Sequence, residues 1–361
     1  MAQIEDRHTG DNLVVAGLMS GTSLDGLDVA IVQFRSHPAW GFELLAANTF
    51  PYPGEWLQRL ENAFSISGPD LVRLHTELGT YMGQVARAFI DSTPYKVDLI
   101  ASHGHTLFHD PAGGMTFQAG HLSYLSAAAG MPVAGDFRSL DVALGGQGAP
   151  LVPIGDRMLF GQYDYCLNLG GFANISFEQN GKRVACDTGP CNMALNELAQ
   201  RLGGEFDRGG AWAATGRLDE QLLMQMNGLP YFTQPLPKSL GREWYVNEFQ
   251  PLIKQGETAD LLRTCTEHIA RQVSSWVKPG ASLLITGGGA FNTFLVERIG
   301  ALSHANVVIP DSGIVQFKEA IVFALLGALR WRGEINCLAS VTGAKRDSCS
   351  GEVAGLFKIE N

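Results

Sequence analysis

The chain has 361 residues, 45% of them apolar and 17% charged, and a formal net charge of −10. That length exceeds one typical domain and supplies apolar residues for sizeable cores, so two domains are the natural expectation. The acidic balance argues against nucleic acid or an anionic membrane as partner, yet leaves room for a nucleotide held by backbone amides and Mg2+.

Residues 13–34 read as two apolar strands joined by a small polar connection, Ser20-Gly21-Thr22-Ser23-Leu24-Asp25-Gly26-Leu27-Asp28. Asp25-Gly26 is a hairpin signal, because glycine tolerates the positive φ of tight turns. Hydroxyls and amides free of bulky side chains can approach an anion, with Asp25 or Asp28 holding a hydrated cation beside it. An ordinary hairpin, with Ser and Thr serving only backbone groups, accounts for the same residues. A third strand follows at 42–50, stopped by Pro51 and Pro53, and helices at 54–64 and 70–90. A short buried strand at 97–102 delivers His103-Gly104-His105-Thr106 and His109. Three histidines so close admit a zinc reading, a substrate-touching loop, or a hydrogen-bonded turn.

A helix is expected at 118–129 with Gly130 as its stop, then a strand at 131–137 and a Gly-rich passage between domains ending near Pro150. Arg138, just past a strand end, is placed to grip a carboxylate or phosphate, or to pair with Asp136 or Asp141. The second half repeats the first: strand 163–169, Gly170-Gly171, strand 173–177, Asn180-Gly181, strand 183–187, then a helix at 192–202. This weak internal repeat predicts two related α/β lobes. Asp187, heading Thr188-Gly189-Pro190, suits either a general base or a cap for the following helix. Helices are expected at 218–226 and 257–277, separated by a loop exposing Lys238 and Arg242. Strand 282–286 then runs into Gly287-Gly288-Gly289, where backbone could lie flat against an adenine ring or phosphate, or simply pack closely. A short strand at 306–309 and a helix at 316–331 complete the pattern.

Six cysteines form no C-x-x-C pair and read as small core residues. The first dozen residues are polar and acidic, and no later apolar run approaches the length of a membrane span; both point to the cytoplasm.

Together GLMSGTSLDGLDVA, SHGHTLFHDP, GDFRSLDVALGGQGAPLVP, NLGGFANIS, DTGPCN, PKSLGRE, TGGGAFN and KEAIVFALLG resemble the anhydro-N-acetylmuramic acid kinases across almost the whole chain. The resemblance implies the sugar kinase, heat-shock ATPase and actin superfamily: an α/β protein of two ribonuclease-H-like lobes around a central ATP cleft. The expected division is 1–133 and 134–361, with the last helix free to pack across both lobes. The implied reaction adds water across the internal bridge of 1,6-anhydro-N-acetylmuramic acid and phosphorylates the released 6-oxygen, in cell-wall recycling. By the same matching, Asp187 is the base. Residues 21–28 (Gly21, Thr22, Ser23, Leu24, Asp25, Gly26, Leu27 and Asp28) hold the ATP phosphates, with Asp25 near Mg2+ through water. Gly170 and Gly171 form a second phosphate loop, and Gly287, Gly288 and Gly289 flank the adenosine. Arg138, Glu319 and His103 contact the sugar, Arg138 at its lactyl carboxylate. A homodimer is implied, with neither nucleic acid nor membrane as partner.

Two departures stand out: His105 where the family has Gln, and Cys191 in place of the second Gly of DTGPGN. The first bears on that loop's side chain and the second on the helix start. The rival readings are another sugar or acetate-type kinase of the superfamily, a non-catalytic nucleotide switch, and a histidine-based metallohydrolase.

Overall fold

Two sheets with the same strand order organise the chain. The computed structural model describes residues 11–21, 24–236 and 238–355. Two compact units divide it: Met1–Leu159 with Phe317–Asn361, and Phe160–Gln316.

In the first unit, β1 (Asn12–Ser20), β2 (Leu27–Arg35) and β3 (Gly41–Phe50) form an antiparallel meander. On the other side of β1, β4 (Leu99–Asp110) and β6 (Val133–Gly135) run parallel to it, and β12 (Glu352–Ala354) closes that edge antiparallel. β5 (Met115–Ala119) folds back on β4. Six of the nine residues of β2 are buried, four of them consecutive, as a sheet covered on both faces requires. The helices Gly68–Asp91 and Leu122–Ala129 cover one face. The Ser67 hydroxyl caps the first, and Gly130, at φ 67°, ends the second. The long helix Ser312–Arg332 covers the other, so closely that a Cβ at Gly17 would lie 2.0 Å from the Ala320 carbonyl oxygen.

That helix corrects one expectation: by length and composition alone it could cross a membrane. Ala320, Ile321, Val322, Phe323, Ala324, Leu325 and Leu326 are buried, and Lys318 pairs with Asp156 at 2.7 Å inside the fold. It is a core helix whose continuous apolar run reflects burial on most sides.

In the second unit, β7 (Tyr165–Leu169), β8 (Phe172–Gln179) and β9 (Lys182–Pro190) make the meander, while β10 (Ser282–Thr286) and β11 (Asn306–Val308) continue parallel to β7. The orders β3-β2-β1-β4-β6 and β9-β8-β7-β10-β11 are therefore equivalent. This is ribonuclease-H-like topology twice over: the repeated strand-and-glycine pattern predicted two related α/β lobes, and the family resemblance implied their topology. Leu262, Cys265, Ile269 and Val273 of the helix Thr258–Ser274 join β7, β8 and β10 in one core.

The units do not divide at 133/134. Residues 134–159 stay with the first because Asp141, buried, accepts hydrogen bonds from the Gly148 amide, the Thr342 hydroxyl and the Cys337 thiol. Three local expectations also change. His103 to Asp110 extend β4 rather than forming a loop, since β5 supplies a hydrogen-bonding partner strand. Gln118 and Ala119 belong to β5, so the helix begins at Leu122. The passage after Pro150 contains an unforeseen helix, Val152–Leu159.

Candidate active site

The site residues expected from sequence divide between the units. The first holds the β1–β2 connection, His103, Arg138 and Glu319; the second holds Gly170, Gly171, Asp187 and Gly287 to Gly289.

The β1–β2 connection spans Gly21 to Gly26, because Ser20 pairs with Leu27. It is thus shorter than the Ser20–Asp28 stretch expected from sequence, whose ends belong to β1 and β2. Thr22 and Ser23 lie outside the described residues. Leu24 sits at φ 61°, and a Cβ on Gly26 would meet the Phe50 carbonyl oxygen at 2.5 Å. Gly26 and Leu27 are buried, while Asp25 is exposed. Asp28 is half-buried and accepts a hydrogen bond from the Thr49 hydroxyl at 2.5 Å. Burial raises its carboxyl above the ordinary range against that bond, and the nearby Asp25 charge adds to the rise. Two carboxylates that repel one another fit a divalent cation, which would relieve that repulsion. Behind them, the Tyr52 hydroxyl donates to Ser20 Oγ at 2.7 Å, and Ser20 Oγ lies 2.8 Å from His105 Nδ1. Burial holds His105 down at about 4, so its ring is neutral near pH 7. The residue that departs from the family pattern thereby anchors Ser20, the last residue of β1 before the connection.

His103, Arg138 and Glu319 converge. Arg138 Nε and Nη2 reach His103 Nε2 at 3.1 and 2.8 Å, and Nη1 donates to the Gly148 carbonyl at 2.6 Å. Because a carbonyl can only accept, the 3.0 Å contact of His103 Nδ1 with Gly104 O puts the ring proton on Nδ1 and leaves Nε2 to accept from Arg138. Burial, then the Arg138 charge, holds His103 well below its ordinary value. Both ring nitrogens are occupied, and His103 supports the guanidinium. Burial lowers Arg138 to about 10 while Glu319 opposes the shift; burial raises Glu319 while Arg138 opposes it. Asp136 instead caps Ser139, and Asp141 binds elsewhere, so neither takes the guanidinium's hydrogen bonds among the described residues. Asp28 also raises Glu319, tying the acidic connection to this cluster. His109 meets Thr116, and among the described residues no three His, Cys, Asp or Glu converge as a metal site.

In the second unit, Asp187 lies near the end of β9 and does not cap the helix Asn192–Arg201, whose N-cap is Cys191. Its Oδ2 accepts from the Leu240 amide at 2.8 Å, and its carbonyl accepts from the Tyr231 hydroxyl at 2.8 Å. Burial pushes the carboxyl up to about 6, the Leu240 hydrogen bond opposing it. A carboxyl poised there can take a proton near neutral pH, which an exposed aspartate does poorly. Cys191, at φ −125° and ψ −104°, lies outside the β and αR regions, and the helix Asn192–Arg201 still begins directly after it.

Gly170 and Gly171 form the β7–β8 turn, and their carbonyls accept the amides of Asn192 and Cys191. Gly287, at φ 80°, and Gly289 pass so near β7 that a Cβ on either would lie 2.6 Å from Asn168 or Leu169. Gly288 and Gly289, with Asn192, Asp207, Gly209 and Phe291, line a cavity of about 260 Å³ that Phe206 also borders. Phe206 and Phe291 are 48% and 47% exposed, and the Arg208 guanidinium carbon lies 5.4 Å from the Phe206 ring centroid. Sequence reading found the glycines but missed Phe206, Asp207 and Gly209, which lie outside any recognisable pattern. Phe291 within TGGGAFN was the available signal.

The family model described as anhydro-N-acetylmuramic acid kinase matches residues 13–355. Relatives bearing that name include one from Vibrio cholerae, 36% identical over 93% of this chain and 97% of its own, and one from Gloeobacter violaceus, 35% identical over 95% and 99%. A third, from Saccharophagus degradans, is 35% identical over 93% and 97%. Matched along nearly its full length, the chain belongs to the anhydro-N-acetylmuramic acid kinase family.

Proposed function

We propose that this chain is an ATP-dependent kinase that opens 1,6-anhydro-N-acetylmuramic acid with water and phosphorylates the freed 6-oxygen. The products are N-acetylmuramic acid 6-phosphate and ADP, as cell-wall recycling requires. The observation that carries the reading is Asp187: a carboxyl held by one backbone amide and raised to about 6 by burial. Its carboxylate takes a proton from water as the water oxygen bonds to the anomeric carbon. The bond from that carbon to the bridging oxygen breaks, and the freed oxygen bonds to the γ-phosphorus of ATP as ADP leaves. A base of this kind contributes about 10²- to 10⁴-fold in rate, and phosphoryl transfer itself is mostly positioning and charge neutralisation.

Gly21 to Asp28 and the turn at Gly170 and Gly171 are assigned to the ATP phosphates, and the cavity beside Gly288 to the adenosine. The exposed rings of Phe206 and Phe291 support that last assignment. Mg2+, held through water by Asp25 beside Asp28, would neutralise triphosphate charge. Arg138 is assigned to the lactyl carboxylate, with His103 fixing its orientation and Glu319 reading a sugar hydroxyl. The cytoplasm, where thiols are kept reduced, is the proposed compartment. A homodimer, implied by family resemblance, is checked by sedimentation.

The test is ADP release with anhydro-N-acetylmuramic acid set against N-acetylmuramic acid and glucosamine. Turnover of the bridged sugar is expected; turnover only of sugars lacking the bridge contradicts the hydrolytic half.

A further inference from the structure

Among the described residues the Asp187 carboxylate hydrogen-bonds a loop rather than its own sheet, and that loop is itself tied down by one cation. Lys238 was expected to be exposed; it is half-buried. Its Nζ donates to the Tyr231 carbonyl at 3.2 Å and the Phe232 carbonyl at 3.3 Å. The same ammonium lies 4.7 Å from the Tyr231 ring centroid and 5.5 Å from that of Trp276. Tyr231 donates to the Asp187 carbonyl, and Leu240, two residues past Lys238, donates its amide to Asp187 Oδ2. One side chain therefore gathers both ends of the segment that touches the base.

We propose that Lys238 is a positioning residue for the hydrolytic step, clamping the 231–240 segment so that the Leu240 amide stays on the Asp187 carboxylate. The inference rests on Asp187 being the base. A half-buried ammonium held by two carbonyls and two aromatic faces is an expensive way to hold a surface loop. Its placement beside the base gives that arrangement a purpose. The Leu240 hydrogen bond favours the ionised carboxylate, so losing it makes Asp187 harder to deprotonate. The other ionisable groups facing Asp187 are Tyr231, from the 3-10 turn Pro230–Thr233, and Cys186 on its own strand; burial holds both neutral around pH 7. His268, fully buried on the helix Thr258–Ser274, points its Nε2 toward Gly189 and is held neutral by burial, at about 3. None of the three titrates between pH 5 and 8.5, so movement of an acid limb in that window reports on Asp187.

The experiment measures kcat/KM for the bridged sugar from pH 5 to 8.5 in wild type, Lys238→Met, Lys238→Arg and Asp187→Asn. Wild type should lose activity as pH falls through about 6. Lys238→Met should move that limb up by about one unit, a roughly fivefold loss at pH 6 that approaches tenfold at pH 5 and nearly vanishes at pH 8.5. Lys238→Arg, which keeps the donors and the charge, should return the limb most of the way. Should Lys238→Met fail to fold, Lys238→Gln, which keeps a donor for the carbonyls, carries the same comparison with a smaller displacement. A limb that stays in place, or a loss uniform across pH, overturns the clamp. If Asp187 is not the base, the failure looks different: wild type shows no acid limb and Asp187→Asn stays active.

Discussion

Replacing Asp187 with Asn should abolish turnover and at the same time stabilise the fold. The amide keeps a carbonyl oxygen for the Leu240 N–H, so the 2.8 Å hydrogen bond survives while the charge goes. Raising a carboxyl from 3.8 to about 6 corresponds to at most about 3 kcal/mol of unfavourable burial. Asp187 is only half-buried, and solvent screening brings the expected gain to about 1–2 kcal/mol. The sign follows from linkage. The folded protein holds the proton more tightly than the unfolded chain, so the cost is absent below 3.8, grows as pH rises, and is fully present above about 6. Denaturant melts at pH 8 and pH 4 therefore make the assay: the variant should be more stable than wild type at pH 8 and equal to it at pH 4. Turnover should fall by about 10²-fold or more, with ATP affinity measured by calorimetry nearly unchanged. A variant that turns over normally, or that is destabilised equally at both pH values, refutes the reasoning.

Arg138→Lys removes a planar fork that Lys cannot reproduce, and should raise KM for the muramyl sugar roughly tenfold or more. The same substitution should cost little with an anhydro sugar lacking the lactyl group; an equal cost on both sugars refutes the carboxylate contact. Asp28→Asn should raise the Mg2+ concentration for half-maximal activity roughly ten- to a hundredfold, and an unchanged magnesium titration removes the acidic pair from metal binding. Phe291→Ala should weaken ATP by about 1–2 kcal/mol through KM rather than kcat. An unaltered KM for ATP places the adenine elsewhere.

The repeated architecture was legible because each meander is written in apolar runs punctuated by Gly170-Gly171, Asn180-Gly181 and Asp25-Gly26, signals that act locally. Where a residue's fate depended on a distant partner, sequence was silent. His103 to Asp110 read as loop because its strand character comes from pairing with β5 beyond a Pro-Ala-Gly-Gly turn. Asp187, Arg138 and Glu319 were all named, and their spacing in sequence could not show that Arg138 and Glu319 converge while Asp187 belongs to another unit. The Leu240 amide left no trace at all, because a backbone N–H is the same in every residue but proline. Lys238 was legible only as a charge in a loop; its burial follows from Trp276 and Tyr231, 38 and 7 residues away in the chain.

The most direct test of the coupled reaction is turnover of anhydro-N-acetylmuramic acid in ¹⁸O-labelled water, quenched before anomeric exchange, with the product read by mass spectrometry and ³¹P NMR. The label should appear at the anomeric oxygen, with the original bridging oxygen joined to phosphorus. Label in the phosphate ester, or a phosphorylated sugar whose bridge is still closed, would contradict the account.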